Sequence, residues 1–147
     1  MELIPKILLI SLAAGLFAQI LKVILKSIKA RNIKVSTFDD YGGMPSAHSA
    51  FLTSLLTAIG FYEGVLSTSF AISFVIASIL IRDAVGIRME LEKQGKIIKK
   101  IVNANNFEKE INAEGELADR MGHTYPEIIV GGIMGVLIAI ILYFILQ

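Results

Sequence analysis

The sequence predicts an all-α integral membrane protein, a helical bundle of about four transmembrane helices with an amphipathic helix on its cytoplasmic side. Hydrophobic residues make up 54% of the 147 residues, and charged residues only 18%. The mean hydropathy of +0.68 is that of a membrane protein. A soluble domain of this size has too little interior to bury so many apolar side chains. We therefore expect residues 1–147 to form a single transmembrane domain.

Four apolar segments approach the roughly 20 residues that a helix needs to cross a bilayer. The expected spans are residues 7–25, 49–65, 68–87 and 128–146. Gln19 and Lys22 interrupt the first span, whose length and lack of a cleavage site favour a retained helix over a signal peptide. The two middle spans are rich in Ser and Thr and are expected to form a hairpin around Glu63 and Gly64.

Basic residues are concentrated in the two long connections, residues 26–48 and 88–124, whereas the opposite side carries only Lys6. Because cytoplasmic loops are enriched in Lys and Arg, this bias predicts that both termini lie outside the cell membrane and both connections lie in the cytoplasm. The mixed charge of the second connection does not weaken this prediction, because the rule counts basic residues.

Residues 89–105 have the pattern of an amphipathic helix. Ile97, Ile98 and Ile101 share one face at helical spacing, with lysines alongside. Two interpretations remain open, a helix in the headgroup layer and a cytoplasmic helix packed on the bundle.

Polar residues are concentrated at the cytoplasmic ends of the predicted spans. Because successive spans cross the membrane in opposite directions, these ends are expected on the same side although they are far apart in sequence. Ionisable residues at membrane depth are costly and often mark function. The candidate site residues are Gly43, Ser46, Ala47, His48, Arg82, Asp83, Arg88, His123 and Glu127.

This set of residues favours phosphoryl transfer. Gly43, Ser46 and Ala47 precede or begin a helix, where backbone N–H groups can hold an anion. Arginine guanidinium groups match phosphate oxygens. The two histidines can act as nucleophile and general acid, and Glu127 lies one helical turn after His123, where a carboxylate can orient the ring.

Each feature also has a purely structural interpretation. The Gly-Pro segment can be an ordinary loop that leads into a helix, and His123 with Glu127 can be a helix-start pair. Arg82 and Asp83 can pair with each other to make burial tolerable. The absence of cysteine excludes disulfides, thiolate catalysis and zinc–thiolate sites.

The segments GGMPSAHSA at residues 42–50 and GHTYPEIIVGG at residues 122–132 resemble a known family. They are similar to the divergent branch of the type 2 phosphatidic acid phosphatases, which are related to vanadium-dependent haloperoxidases. Residues 19–22 and 83–88, with Gln94 and Asn103, share the resemblance, which extends over nearly the whole chain.

The resemblance implies a role for each matching residue. Ser46 and the backbone beside it would bind phosphate, and His48 would protonate the leaving alkoxide and later activate water. His123 would be the nucleophile that forms a phosphohistidine, with Glu127 as its orienting acid. The implied mechanism needs neither metal nor cofactor.

The chain also departs from the main family's motifs. Ala47 stands where the family has Gly, and the family's Lys motif with a downstream Arg-Pro is absent, which makes Lys22 and Lys26 the candidates for its place. The Arg expected six residues before His123 would fall at Leu117, and Arg88 is the substitute.

These observations predict a membrane phosphatase for a lipid phosphate monoester or a polyprenyl phosphate or diphosphate. The alternative is a catalytically weak or inactive membrane protein that binds a lipid phosphate or serves in assembly. A small transporter or channel subunit is a third interpretation. The expected partners are membrane lipids and the phosphorylated lipid substrate, with no nucleic acid. Gly131, Gly132 and Gly135 permit close helix packing, either within the chain or in a homodimer.

Overall fold

The computed structural model describes residues 3–30, 43–104 and 124–147. Its helices are α1 (Leu3–Ala30), α2 (Ala47–Tyr62), α3 (Thr68–Val85), α4 (Ile87–Ala104) and α5 (Tyr125–Leu146). These residues contain no strand, and the all-α prediction is confirmed.

Three of the described helices are long and apolar enough to cross a membrane, at Lys6–Ile28, Thr68–Val85 and Tyr125–Leu146. They correspond to the first, third and fourth predicted spans. The second predicted span, residues 49–65, is a helix of 16 residues at Ala47–Tyr62. At 1.5 Å per residue it is about 24 Å long, shorter than the ~30 Å hydrocarbon core.

The short helix α2 is the centre of the bundle, because it packs against α1, α3 and α5. Its buried residues lie on successive turns: Ser49, Ala50, Leu52, Ser54, Ala58 and Ile59. The outer helices instead expose large apolar side chains, such as Leu16, Ile72 and Leu137. This distribution suits a bundle in lipid, where the outer surfaces contact acyl chains and the small and polar residues lie between helices.

A seam of small residues lets α5 approach α2 closely. Gly131, Gly135 and Ala139 are buried and recur every four residues, on one face of α5. The side-chain hydroxyl of Thr53 on α2 donates a hydrogen bond of 3.0 Å to the Gly132 carbonyl, which is worth about 0.6 kcal/mol in a membrane bundle. The seam packs within the chain, and homodimerisation stays a prediction.

The predicted hairpin joins α2 to α3. Gly64 has a φ of +89°, a conformation that glycine adopts without a steric cost, and Ser67 caps α3 by accepting the Phe70 N–H at 3.1 Å. The same end of the bundle carries Lys6, whose Nζ lies 6.0 Å from the Tyr62 ring centroid. Tyr143 on α5 stacks on Phe61 there, with ring centroids 4.8 Å apart.

Helix α4 begins immediately after α3, with only Gly86 between them. Its apolar side chains Leu91, Ile98 and Ile101 are all exposed, and α3 is the neighbour that it contacts most. The predicted amphipathic helix is therefore present. Its apolar face is not buried against the described part of the bundle, which favours the headgroup-layer interpretation over the packed one.

Candidate functional site

The start of α2 is a capped helix terminus. Ser46 is the N-cap residue and is almost fully buried, at 1% exposure. Its Oγ accepts hydrogen bonds from the Ser49 backbone N–H at 3.4 Å and from the Ser49 hydroxyl at 3.1 Å. The cap satisfies one of the amide groups that a helix leaves without an intrahelical acceptor and fixes the direction of the loop before it.

A direct hydrogen bond joins the starts of α2 and α5. The Ser46 backbone N–H donates to the Glu127 carbonyl oxygen at 3.1 Å. A β-carbon added at Gly131 would overlap the Ser46 carbonyl oxygen, so only glycine permits this approach. Segments 81 residues apart in sequence therefore meet at one end of the bundle, as the predicted topology requires. The same bond commits the Ser46 amide to the protein, and the phosphate-binding role of Ser46 stays a prediction that involves its hydroxyl.

The Glu127 carboxylate is buried at 6% exposure and closes the first turn of α5. Its Oε2 accepts the Thr124 backbone N–H at 3.1 Å, as in a capping box. The structural interpretation of Glu127 as a helix-start residue is thus correct for this oxygen. A negative charge at a helix N-terminus is also favoured by the helix dipole.

We expect the two substitutions of Glu127 to separate this capping role from the charge. Glu127→Ala should lower the free energy of unfolding by about 1 kcal/mol, because the Thr124 N–H loses its acceptor. Glu127→Gln keeps an acceptor oxygen at the same place and should be nearly neutral. Thermal unfolding in detergent measures both effects. Equal losses in the two variants would show that the charge, and not the hydrogen bond, supports the helix start.

Two lysines of α1 reach the loop before α2. Gly43 has a φ of +99°, and a β-carbon added there would lie 2.8 Å from Lys26 Cε and 3.6 Å from Lys22 Cδ. Lys22 is buried at 5% exposure inside a membrane-spanning helix, six residues (about 9 Å) from the end of the span. An ammonium group at this depth is costly and is usually functional. We call Lys22, Lys26, Gly43, Ser46 and Glu127 the polar cluster.

His48 lies in the first turn of α2, next to the cavity between α2 and α3. Its side chain is exposed and lines a small cavity of about 160 Å³ between α2 and α3, together with Ser49, Phe51, Leu52, Leu80, Ile81 and Ala84. Because Ser49 also bonds to Ser46, this cavity begins beside the polar cluster.

Arg82 and Asp83 are at the same end of the bundle but outside the polar cluster. They line a larger groove of about 850 Å³ between α3 and α4, which also includes Tyr125 at the start of α5. Arg88 lies in the first turn of α4, and its side chain is outside the described part of the structure, as is the whole of His123. Ala47 is the first helical residue of α2, adjacent to Ser46.

Sequence reasoning identified Lys22 and Lys26 only as candidates for a missing motif. The signal for Lys22 was its position inside an apolar run, which forces the ammonium group to find a polar neighbour within the bundle. No pattern in the sequence indicated that the Ser46 amide would bond to Glu127, because that bond depends on the closeness of α2 and α5.

Comparisons with known proteins give a family and a relative for the chain. A family model described as "Divergent PAP2 family" matches residues 4–138. The chain is also similar to "Uncharacterized membrane protein YuiD" of Bacillus subtilis (strain 168), with 37% identity over 97% of each chain. No solved structure matches the chain.

Proposed function

The chain belongs to the divergent PAP2 family, and from this premise we propose that it is a membrane phosphatase for a lipid phosphate monoester or a polyprenyl phosphate or diphosphate. The observation that carries the proposal is the polar cluster itself. A buried lysine lies beside the loop that leads to a buried capping serine, and the backbone amide of that serine bonds to the carbonyl of a buried glutamate. Transfer of a charged side chain into the interior costs free energy, and apolar residues of similar volume would pack there at least as stably. The presence of charged residues therefore supports a role other than packing.

The polar cluster has the electrostatic character of an anion site. Lys22 and Lys26 bring two ammonium groups to the loop before α2, and the N-terminus of α2 adds the positive end of a helix dipole. The Ser46 Oγ accepts both of its bonds from Ser49, so its own proton can be donated to a phosphate oxygen. In this proposal Lys22 takes the place of the missing Lys motif.

Hydrolysis then proceeds in two steps, formation of a phosphohistidine and its hydrolysis. His123 attacks phosphorus, the bond between phosphorus and the lipid oxygen breaks, and His48 gives its proton to the leaving alkoxide. Water then attacks the phosphohistidine, His48 takes a proton from it, and inorganic phosphate leaves while His123 is restored. The Glu127 carboxylate orients His123, which requires the first turn of α5 to be held as the Thr124 hydrogen bond holds it.

The shortness of α2 suits a substrate anchored in the bilayer. The Ser46 amide bonds to the Glu127 carbonyl, and Gly131 packs against Ser46, so Ser46 at the start of α2 lies beneath the first turn of the longer helix α5. A headgroup phosphate can therefore reach the cluster while its hydrocarbon part stays in the membrane. The charge bias of the connections favours the cytoplasmic face of the cell membrane for this end of the bundle, and the proposal adopts that orientation, with both termini outside.

Phosphate release by purified protein tests the proposal. We expect release from lipid phosphates in the presence of a chelator, and inhibition by vanadate, which mimics pentacoordinate phosphorus. His123→Ala provides the control. Equal release by wild type and His123→Ala would overturn the catalytic assignment. Binding of a lipid phosphate without turnover would instead support the binding-protein alternative, which the Leu at position 117 favours.

A further inference from the structure

The charge of helix α4 changes along its length. Its sequence, from Ile87 to Ala104, contains five Lys and Arg residues against two Glu residues. Both glutamates lie in the first half, where Glu90 forms an ion pair with Lys93. From Lys96 onward the helix carries three lysines and no acidic residue. The second half of α4 is therefore strongly basic.

The apolar face of α4 is directed toward the side of the membrane span α3. Leu91 and Gln94 line the groove between the two helices together with Leu80 of α3. Ile98 follows Leu91 by seven residues, and Ile101 follows Gln94 by seven, which places both isoleucines on the same face about two turns further along. They are 46% and 56% exposed. This face therefore continues past the groove without cover from the described part of the bundle.

Helix α4 starts where a membrane span ends. The span Thr68–Val85 is followed by Gly86, whose ψ of −81° departs from the value of about −42° that continues an α-helix. The chain bends there, and α4 shares a groove with the helix that precedes it. The apolar face of α4 is thus at the boundary of the bilayer that α3 crosses.

We propose that α4 is a binding site for the surface of a bilayer that contains anionic lipid. Ile98 and Ile101 enter the boundary between headgroups and acyl chains, and the lysines of the polar face bind lipid phosphates. Lys96 and Lys100 are exposed and lie four residues apart on that polar face. Their long side chains can extend the ammonium groups to the headgroups while the helix lies in the interface. The inference is independent of the proposed phosphatase activity, because no residue of the polar cluster takes part in it.

The charge of α4 identifies the occupant of its apolar face. A bilayer with anionic lipid offers an apolar layer and negative charge together, and each lysine near such a surface strengthens binding about fivefold. A second copy of this chain would place one basic half-helix against another, and like charges repel each other. An uncharged bilayer would match the isoleucines but not the lysines.

Fluorescent labels on the two faces of α4 test the proposal. The chain has no cysteine, so Ile98→Cys and Lys96→Cys, on opposite faces, can each carry a single NBD label in the full-length protein. The proteins are reconstituted in phosphatidylcholine nanodiscs with and without phosphatidylglycerol. With phosphatidylglycerol, a lipid-borne nitroxide should quench the label at position 98 about threefold more strongly than the label at position 96, and aqueous iodide should show the reverse order. Leu137→Cys, on the exposed face of α5, is the control for lipid contact.

Two results of this experiment would overturn the proposal. Equal quenching of the labels at positions 98 and 96 by iodide would show that the apolar face of α4 is in water. Protection of position 98 from iodide without quenching by the nitroxide would show that this face is covered by protein, either a second copy or another chain.

A charge series tests the part of the lysines. Replacement of Lys96 and Lys100 by Gln in the Ile98→Cys protein should raise the fraction of phosphatidylglycerol needed for half-maximal nitroxide quenching by about threefold. Replacement of both by Arg keeps the charges and is the matched control, in which that fraction should stay within about twofold of its original value. Lys93 is left in place because it pairs with Glu90. A Gln variant with an unchanged requirement for phosphatidylglycerol would reject anionic lipid as the ligand, whether or not the protein releases phosphate.

Discussion

Lys22→Met is expected to lower phosphate release from a lipid phosphate by about 10²–10³-fold, the loss typical when one preorganised group that stabilises developing negative charge is removed. The reason is the position of the lysine. Lys22 is buried at 5% exposure, and its stem lies beside Gly43 in the loop that leads to Ser46. In a site of low dielectric, an ammonium group acts on a phosphate far more strongly than it would in water.

The chain supplies a matched control for this substitution in the same helix. Lys6 lies at the other end of α1, over the Tyr62 ring, and Lys6→Met removes the same charge far from the polar cluster. We expect this control to retain wild-type turnover and to lose at most about 1 kcal/mol of stability from the cation–π contact. The measurement is kcat/KM in detergent micelles, with a monodisperse gel-filtration peak required for each variant.

Two results would contradict the role of Lys22. Turnover by Lys22→Met within threefold of wild type would show that its charge does not act on the phosphate. A Lys22→Arg variant keeps the charge, and if it were as inactive as Lys22→Met while folded, packing and not charge would be the property that matters.

Much of the fold follows from composition and periodicity. Apolar runs of sufficient length predicted α1, α3 and α5, and the hairpin at Gly64 followed from the short polar connection between two apolar segments. Parity of crossings also predicted that the starts of α2 and α5 lie at the same end of the bundle, where the Ser46 amide bonds to the Glu127 carbonyl. These features depend on transfer of side chains into lipid, which is additive along the chain and can therefore be estimated from sequence.

The details of the site could not be predicted in the same way. His48 and Ser46 are two residues apart, yet Ser46 is buried against α5 whereas His48 is exposed on the cavity next to α3. Which side of α2 each residue occupies depends on how the helix is rotated against its neighbours. That rotation is set by the glycine seam, and spacing alone did not distinguish an internal seam from a dimer contact.

The separation of Arg82 and Asp83 from the polar cluster has the same origin. Parity of crossings placed them at the correct end of the bundle, but α3 contacts α2 and α4 and lies on the outside. Its last turn therefore lines the groove. Arg82 is exposed and lines the groove, whereas the lysines of α1 approach the loop before α2.

A substitution in the glycine seam between α2 and α5 is expected to have a large effect on stability. Gly135→Ala is expected to lower the free energy of unfolding by about 3 kcal/mol, because the added methyl group would overlap the Ala50 carbonyl oxygen and the Thr53 hydroxyl. The Ala50 carbonyl belongs to the backbone of α2 and cannot move aside alone. The two helices must separate, which also lengthens the hydrogen bond from Thr53 to the Gly132 carbonyl.

Gly132→Ala is a matched control for Gly135→Ala, because Gly132 is three residues away on the same helix. A β-carbon at Gly132 would lie 3.5 Å from Thr53 Cγ2, an ordinary van der Waals contact. Gly132→Ala should therefore be neutral or stabilising by up to about 1 kcal/mol through helix propensity. Unfolding by SDS titration of the protein in mixed micelles compares the two variants with wild type. The seam also holds the Ser46 amide against Glu127, so helix separation in Gly135→Ala should reduce phosphate release as well. A Gly135→Ala protein as stable and as active as wild type would show that α2 and α5 do not pack along this face.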